Sequence, residues 1–266
     1  MIDEMRIETN NYLKNLLRIV KYNYLFKKYD SFCVIYQMGK VGSKSIHNTL
    51  LSNSNINIPV FHTHSIRHDS MYVDIKKLFK KINIDRDKIK IITISREPVS
   101  RNISSFFEAI KIFMPDFNPN IDIIDDNEQQ LIYKLIEVFF KKFHHTYPLT
   151  WYDVEFRSTT GINIYELEIS KDRIYSLDNF ELLVLRKEDT DELKQELIKE
   201  FFQLNNFNLI NMNISSQKKY SSIYSSFLQK ISFSKDYLDE MYNSKYTKHF
   251  YSVDEIDKFR EEWQKS

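Results

Sequence analysis

Short apolar runs alternate with longer stretches of helical periodicity along this chain. The apolar, β-branched and aromatic runs predict four central strands, and the intervening segments have the spacing of amphipathic helices. Strands that alternate with helices favour an α/β fold with a parallel β-sheet flanked by helices. The predicted strands are Phe32–Tyr36, Ile58–Thr63, Lys90–Ser95 and Leu182–Arg186, and the predicted helices are Ser43–Leu51, Asp74–Lys81, Val99–Phe113, Gln129–His144 and Asp191–Phe202.

Helical additions are predicted on both sides of an α/β domain that spans residues 31–231. Residues 1–30 form the N-terminal extension, because apolar residues recur near helical spacing over Tyr12–Lys28. This segment packs on the domain or, as the alternative, lies on a membrane surface. Residues 232–266 are charged and helical in pattern, and they predict a C-terminal tail packed on the domain. Pro115–Asp126 predicts an exposed loop.

Composition narrows the classes of protein to which the chain can belong. Its 38 basic and 37 acidic residues leave a net charge of +1, which argues against a general nucleic-acid-binding protein. The single cysteine, Cys33, gives no disulfide framework and is expected in the core. No apolar run approaches the ~20 residues of a transmembrane helix, and the N-terminus lacks a signal-peptide pattern. We expect a soluble, cytoplasmic protein, with peripheral contact at the inner face of the membrane left open.

Two of the chain's three glycines lie in the turn after the first predicted strand, Gly39-Lys40-Val41-Gly42-Ser43-Lys44-Ser45. A strand, a glycine-bearing turn and a helix N-terminus form an arrangement that binds phosphate. Glycine lets the backbone approach the anion, and free N–H groups point at it. An ATP-binding P-loop would require glycines at the positions of Met38 and Ser43, which weakens that interpretation.

The third predicted strand leads into a second phosphate-binding candidate, Arg96-Glu97-Pro98-Val99-Ser100-Arg101-Asn102-Ile103-Ser104. Pro98 suits the first turn of a helix, and Arg101 and Ser104 then share one helix face. A guanidinium and a hydroxyl can hold a phosphate by charge-assisted hydrogen bonds. The alternative is a solvated helix start in which the arginines pair with Glu97 or Glu108.

The second predicted strand ends on His62 and His64, which project to the same face of an extended chain. A histidine of near-neutral pKa suits abstraction of a hydroxyl proton, so one of the two is a candidate base. We favour His64 and leave His62 open. A metal site is not expected, since no third ligand at suitable spacing is evident.

These motifs resemble those of sulfotransferases that use the sulfate donor 3′-phosphoadenosine 5′-phosphosulfate (PAPS). The first loop is similar to their Pro-Lys-x-Gly-Thr/Ser phosphosulfate loop, with Gly39 in place of proline and Lys40 at the loop lysine. The pattern Arg-x-Pro-x-x-Arg-x-x-Ser is similar to their 3′-phosphate site, and carbohydrate sulfotransferases often carry His-x-His with the second histidine as base. The resemblance implies a P-loop-like fold, PAPS as donor and no metal. It implies that the donor is bound by Lys40, Gly42, Ser43, Lys44, Ser45, Arg96, Arg101 and Ser104.

A second resemblance covers about residues 30 to 263. The segment Asn213-Ile214-Ser215-Ser216-Gln217-Lys218-Lys219-Tyr220-Ser221 resembles the signature of the bacterial NKWYS family of capsular polysaccharide synthesis proteins, with Lys219 in place of tryptophan. Trp151–Glu155, Leu185–Asp189 and Ser244–Ser252 resemble other recurring segments of that family. The resemblance implies a glycan or glycolipid acceptor and places Lys218 and Tyr220 on a loop over the nucleotide. The alternative for that segment is a polar surface loop.

Together these features predict transfer of a sulfuryl group from PAPS to a carbohydrate hydroxyl. The first rival is a P-loop kinase or nucleotidase that uses ATP and Mg²⁺, which would need an acidic metal-positioning residue at a strand end. The second is a non-catalytic nucleotide-binding protein of polysaccharide assembly. The sequence does not decide the acceptor or the oligomeric state.

Overall fold

The computed structural model describes residues 20, 24–25, 28–29, 31–65, 89–117, 128–169, 173–177, 180–210 and 221–264. Four predictions therefore fall wholly or largely outside the described residues: the helix Asp74–Lys81, the loop residues Lys218 and Tyr220, most of the extension 1–30, and most of the loop Pro115–Asp126. Within the extension, Val20, Tyr24, Leu25 and Lys28 are helical.

A five-stranded, mostly parallel sheet forms the centre of the fold. Its strands lie in the spatial order β2-β1-β3-β5-β4. The first four are parallel neighbours, and β4 runs antiparallel to β5 at the edge. The strands are β1 (Phe32–Tyr36), β2 (Val60–Thr63), β3 (Ile89–Ser95), β4 (Ile174–Leu177) and β5 (Phe180–Arg186).

The strand predictions hold where both faces of the sheet are covered. Every residue of β1 is buried, Cys33 among them, and its bounds are as predicted. The strands β3 and β5 are also buried along most of their length, and each begins slightly earlier than predicted. The prediction missed β4, because its four residues are half-exposed and show no continuous apolar run.

Among the described residues, helices follow β1, β3 and β5, as is typical of an α/β fold. The predicted helix Val99–Phe113 is in fact two helices that meet at Ala109, and Asp191–Phe202 has the predicted bounds. None of the described helices is both long and apolar enough to cross a membrane. The helices are α1 (Ser43–Ser52), α2 (Pro98–Glu108), α3 (Ile110–Phe113), α4 (Glu128–Lys142), α5 (Tyr147–Trp151), α6 (Asp191–Phe202), α7 (Ser221–Lys230), α8 (Lys235–Tyr242), α9 (Lys245–Phe250) and α10 (Val253–Trp263).

A π-helix, Tyr152–Arg157, continues α5 and packs against the end of β1. The Tyr36 hydroxyl donates to Glu155 Oε1 at 2.9 Å, and the same oxygen accepts from Ser65 Oγ at 3.0 Å. Both hydrogen bonds are made where β1 and β2 end. The π-helix, which the sequence did not reveal, therefore fixes the two strand ends that carry the first loop and the histidine pair.

Tyrosines of the C-terminal helices hold the junction between β3 and α2. The Tyr246 hydroxyl donates to Arg96 O at 2.7 Å and accepts from Arg96 N at 3.0 Å. The Tyr242 hydroxyl donates to Glu97 Oε1 at 2.6 Å. The Glu97 carboxylate also caps α2, since it accepts from Val99 N and Ser100 N, each at 2.7 Å.

This buried cap makes Glu97 a stability determinant. Glu97→Ala removes the acceptor of two helix N–H groups and of the Tyr242 hydroxyl, and the bonds from Val99 N and Tyr242 are buried. We expect the free energy of unfolding to fall by about 2 to 4 kcal/mol. Urea denaturation measures the change, with the exposed Glu200→Ala on α6 as control, expected within about 0.5 kcal/mol of the wild type. A Glu97→Ala loss no larger than that of the control contradicts this role.

Candidate functional site

The ends of four parallel strands converge on one site at the carboxyl edge of the sheet. β1 leads into the loop 37–42, β2 into His64, β3 into Arg96, and β5 into Lys187. In open α/β sheets this edge is where ligands bind. The structure thus brings together the two predicted phosphate-binding segments and the predicted base, which lie far apart in the sequence.

The loop that follows β1 has an unusual backbone. Lys40 has φ 75° and Gly42 has φ 82°, so both lie in the left-handed region. Only glycine adopts that conformation without steric cost, and a non-glycine residue there stores of order 1 kcal/mol. Gly42 is also the N-cap of α1 and provides no side chain to its N–H groups. The first turn of α1 therefore begins without a side-chain cap.

Arg96 and Arg101 both donate to carbonyl groups of this loop. Arg96 Nη1 lies 2.7 Å from Lys40 O, and Arg101 Nε lies 3.2 Å from Gly39 O. Neither arginine forms an ion pair with Glu97 or Glu108, so the solvated-helix alternative for them is wrong. The two segments predicted to bind phosphate are instead joined by direct hydrogen bonds.

Arg101 is nearly fully buried, with 4% of its surface exposed, and its guanidinium lies 4.6 Å from the ring centroid of Tyr147. Burial lowers its pKa to about 10, which leaves it charged at neutral pH. Its contacts are those of a residue that positions the loop. One turn further along α2, Ser104 is only partly buried, and its hydroxyl makes no hydrogen bond to the described residues.

Of the other predicted donor-binding side chains, some are bonded to other residues of the protein and one is exposed to solvent. Lys40 Nζ forms an ion pair with Glu108 Oε2 at 3.0 Å, a contact with a half-exposed carboxylate. Ser45 Oγ donates to Ile210 O at 2.7 Å and so fastens the segment after α6 to α1. The Lys44 side chain is exposed. Lys40 would have to exchange Glu108 for an anionic ligand.

His62 is engaged with the start of α1. Its Nε2 lies 2.7 Å from Ser43 Oγ, and that oxygen lies 2.7 Å from Gln37 Nε2. An amide nitrogen can only donate, so the Ser43 hydroxyl accepts a hydrogen bond from Gln37 and donates one to His62. Burial, and then the charges of His64, His47 and Lys44, lower the pKa of His62 to about 3. His62 is therefore neutral and acts as an acceptor.

His64 is oriented differently. Its Nδ1 lies 3.2 Å from the backbone carbonyl of Gln37, which can only accept, and 3.1 Å from the side-chain Nε2 of Gln37, which can only donate. Gln37 therefore occupies Nδ1 in either tautomer of the ring. The ring lies over the loop, with Nε2 3.9 Å from where a Cβ on Gly39 would be. Trp151 Nε1 donates to His64 O at 3.1 Å and fixes the backbone. Nε2 is thus the ring nitrogen of His64 that is available to a substrate.

The surroundings of His64 are cationic. Burial lowers its pKa most, and the charges of Arg101, Lys44 and Lys40 lower it further, against the opposing hydrogen bond from the Gln37 carbonyl. A neutral imidazole is thereby favoured at physiological pH. Positive groups that converge around a neutral base suit an anionic ligand beside a group that loses a proton.

Sequence reasoning missed Gln37 and assigned Lys187 no function. Gln37 is fully buried and links His62, His64 and Ser43. It could have been noted as a polar residue directly after a buried strand. Lys187 packs against Gly42. Its sequence signal was weaker, because only its position directly after β5 indicates that it lies at the carboxyl edge of the sheet.

A family model matches residues 120–252, which is half of the chain. The family is described as "putative capsular polysaccharide synthesis protein" and is named NKWYS. The chain belongs to the NKWYS family. No curated protein and no solved structure matches it.

Membership in the NKWYS family confirms part of the second resemblance drawn from the sequence. The match begins at residue 120, so it covers Trp151, Lys187, Lys218 and Tyr220 but not the first loop, the histidines or Arg96. The family description associates the chain with capsular polysaccharide synthesis. Among the residues the structure describes, no group of three histidine, cysteine or acidic side chains could hold a metal ion.

The depressed pKa of His62 predicts a pH-dependent stability. In the unfolded chain His62 takes up a proton near its ordinary pKa of 6.5, whereas the folded protein resists protonation until about pH 3. The unfolded state therefore binds more protons over this window, and stability falls as the pH falls. We expect His62 to contribute about 1 to 2 kcal/mol of the loss between pH 7.5 and pH 5.0.

Urea denaturation at the two pH values tests this expectation. His62→Gln should show a smaller loss between pH 7.5 and pH 5.0 than the wild type does. The exposed His144→Gln serves as the matched control and should keep the wild-type difference. An unchanged pH difference in His62→Gln would mean that His62 is protonated in the folded protein.

Proposed function

We propose that this NKWYS protein is a sulfotransferase that moves a sulfuryl group from PAPS to a carbohydrate hydroxyl. One observation carries the proposal. The ring of His64 lies over Gly39 in the same loop whose carbonyls are held by Arg96 and Arg101. A candidate base, an uncapped helix N-terminus and two arginines therefore share one site, as transfer between an anionic donor and a hydroxyl requires.

The residues present are suited to a donor with a phosphate at one end and a phosphosulfate at the other. Arg96 and Ser104 would hold the 3′-phosphate, since Ser104 has an uncommitted hydroxyl and Arg96 has guanidinium nitrogens besides the one bound to Lys40 O. The N–H groups at Gly42 and Ser43, with Lys40 and Lys44, would hold the phosphosulfate. Arg101 and the hydroxyls of Ser43 and Ser45 keep the loop and α1 in place.

The chemistry assigned to the residues is a direct, in-line transfer. His64 Nε2 accepts the proton of the acceptor hydroxyl while the hydroxyl oxygen forms a bond to sulfur. The bond between sulfur and the bridging oxygen breaks, and the electron pair goes to the 5′-phosphate of the leaving nucleotide. Lys40 and the loop N–H groups stabilise the charge that grows on that oxygen. The products are a sulfate ester, adenosine 3′,5′-bisphosphate (PAP) and protonated His64.

The acceptor class rests on the family description, which names polysaccharide synthesis. A glycan or glycolipid hydroxyl is the acceptor that fits both this description and a histidine base. Lys218 and Tyr220 lie outside the described residues but within the matched segment, and they stay predicted donor-binding residues. We propose that the reaction takes place in the cytoplasm, with an acceptor either free or held at the membrane.

Donor binding is the first test. We expect isothermal titration of the full chain to show PAP binding without Mg²⁺, and Arg96→Ala to weaken it by about 10- to 100-fold through loss of a charge-assisted contact. The loss should be larger for 3′-AMP than for 5′-AMP, because Arg96 is assigned to the 3′-phosphate and acts on the 5′ end only through its hydrogen bond to Lys40 O. The exposed Lys230→Gln on α7 is the control and should bind PAP as the wild type does.

The same titration with ATP and Mg²⁺ separates the sulfotransferase from a kinase. Binding of ATP with Mg²⁺ and indifference to PAP would overturn the proposal and favour the kinase. If the wild type binds PAP but does not transfer the sulfuryl group of PAPS, the result would favour a non-catalytic nucleotide-binding protein.

Turnover distinguishes the roles of the base and the loop lysine. With capsular polysaccharide fragments as acceptors, release of PAP from PAPS measures the rate. His64→Ala should lower kcat by about 10²- to 10⁴-fold and keep PAP binding, and Lys40→Ala should lower it by about 10²- to 10³-fold. His62→Gln should retain much of the wild-type rate. A Lys40→Ala or His64→Ala enzyme of full activity would contradict the assigned mechanism.

A further inference from the structure

The turn that follows β5 contains four consecutive charged residues, three of which are committed to the fold. Arg186 pairs with Asp189 at 2.9 Å, and Asp189 also accepts from Arg173 at 2.5 Å. Glu188 accepts from Glu97 N at 3.0 Å and from the Tyr251 hydroxyl at 2.8 Å. Lys187 differs from its neighbours, because its ammonium forms no ion pair with any carboxylate that the structure describes.

The Lys187 side chain extends across the end of β3 to the first loop. Its Cδ and Cε lie 2.8 and 3.2 Å from where a Cβ on Gly42 would be, and its Nζ lies 3.9 Å from that point. This approach is closer than any side chain at position 42 would allow, so it depends on glycine. The ammonium is thereby held beside the N-terminus of α1.

The backbone of Lys187 is fixed, which gives the contact a defined geometry. Lys187 N donates to Ser95 O at 2.9 Å and prolongs the pairing of β5 with β3. Lys187 O accepts from Nζ of Lys194, a buried residue of α6, at 3.0 Å. The lysine therefore reaches the loop from a rigid strand end and retains a solvent-exposed side chain.

From these contacts we propose that Lys187 is a donor-binding residue that contacts the 5′-phosphosulfate together with the N–H groups of Gly42 and Ser43. The inference rests on the proposed function, since it names a further ligand of the same donor. An unpaired ammonium beside an uncapped helix N-terminus places two positive groups together, and an anion between them relieves their repulsion. Lys187 thus supplies a positive charge to the 5′ end of the donor, as Arg96 does to the 3′-phosphate.

Three nucleotides test this assignment because they separate the two ends of the donor. PAP carries both phosphates, 5′-AMP lacks the 3′-phosphate, and 3′-AMP lacks the 5′-phosphate. By isothermal titration, Lys187→Gln should weaken PAP and 5′-AMP by about 10-fold and leave 3′-AMP within about twofold. Arg96→Ala should weaken PAP as well, and should weaken 3′-AMP more than 5′-AMP. Lys187→Arg keeps the charge and should restore most of the PAP affinity, and Lys230→Gln is the control.

The outcomes separate this inference from the proposed function. Tight PAP binding by the wild type with no loss in Lys187→Gln, or an equal loss for 3′-AMP and 5′-AMP, overturns the role of Lys187 and leaves the sulfotransferase intact. Binding of ATP with Mg²⁺ in place of PAP, weakened by Lys187→Gln, keeps the lysine as a phosphate ligand and overturns the sulfotransferase. A wild-type chain that binds none of these nucleotides overturns both. Equal melting temperatures of the variants ensure that the comparison reports binding.

Discussion

The hydrogen bonds from Arg96 and Arg101 to the carbonyls of Lys40 and Gly39 are the constraint on which the site depends. They join the exits of β1 and β3, which are adjacent strands, and they offset the cost of a lysine in the left-handed region. The arginines are held in turn by two tyrosines. The Tyr147 ring stacks on the Arg101 guanidinium, and the Tyr246 hydroxyl is hydrogen-bonded to both the N–H and the carbonyl of Arg96. The loop conformation is therefore imposed by its surroundings.

The net charge of the chain is nearly zero, but positive charge is in excess at the carboxyl edge of the sheet. Around the site the carboxylates are used as structural acceptors: Glu97 caps α2, Glu188 binds Tyr251, and Asp189 binds two arginines. The tyrosine-rich C-terminal helices supply several of the donors. Because these three acidic groups are bound within the fold, they do not pair with Lys44 or Lys187, whose positive charges remain at the same edge of the sheet.

The sequence predicted the elements that depend on local pattern and missed those that depend on contact. The buried run of β1 and the spacing of Asp191–Phe202 determined their bounds, whereas the half-exposed β4 gave no pattern. The loop, the arginines and the histidines were predicted from motif spacing. The roles of Gln37 and Lys187 could not be predicted in this way. Gln37 contacts a histidine of the neighbouring strand and Lys187 contacts Gly42, and both partners are distant in the sequence.

The two histidines illustrate how position in the network decides role. Both lie at the carboxyl end of β2, but their contacts differ. Ser43 Oγ and Gln37 Nε2 contact Nε2 of His62, whereas the carbonyl and Nε2 of Gln37 contact Nδ1 of His64 and leave its Nε2 accessible. Burial first, and then the charges of Arg101, Lys44 and Lys40, lower the pKa of His64 and weaken it as a base. An anionic donor among those cations would raise that pKa toward its ordinary value. Under the proposed function, His64 would then become a stronger base only when the donor is in place, which disfavours proton abstraction from the acceptor before the donor binds.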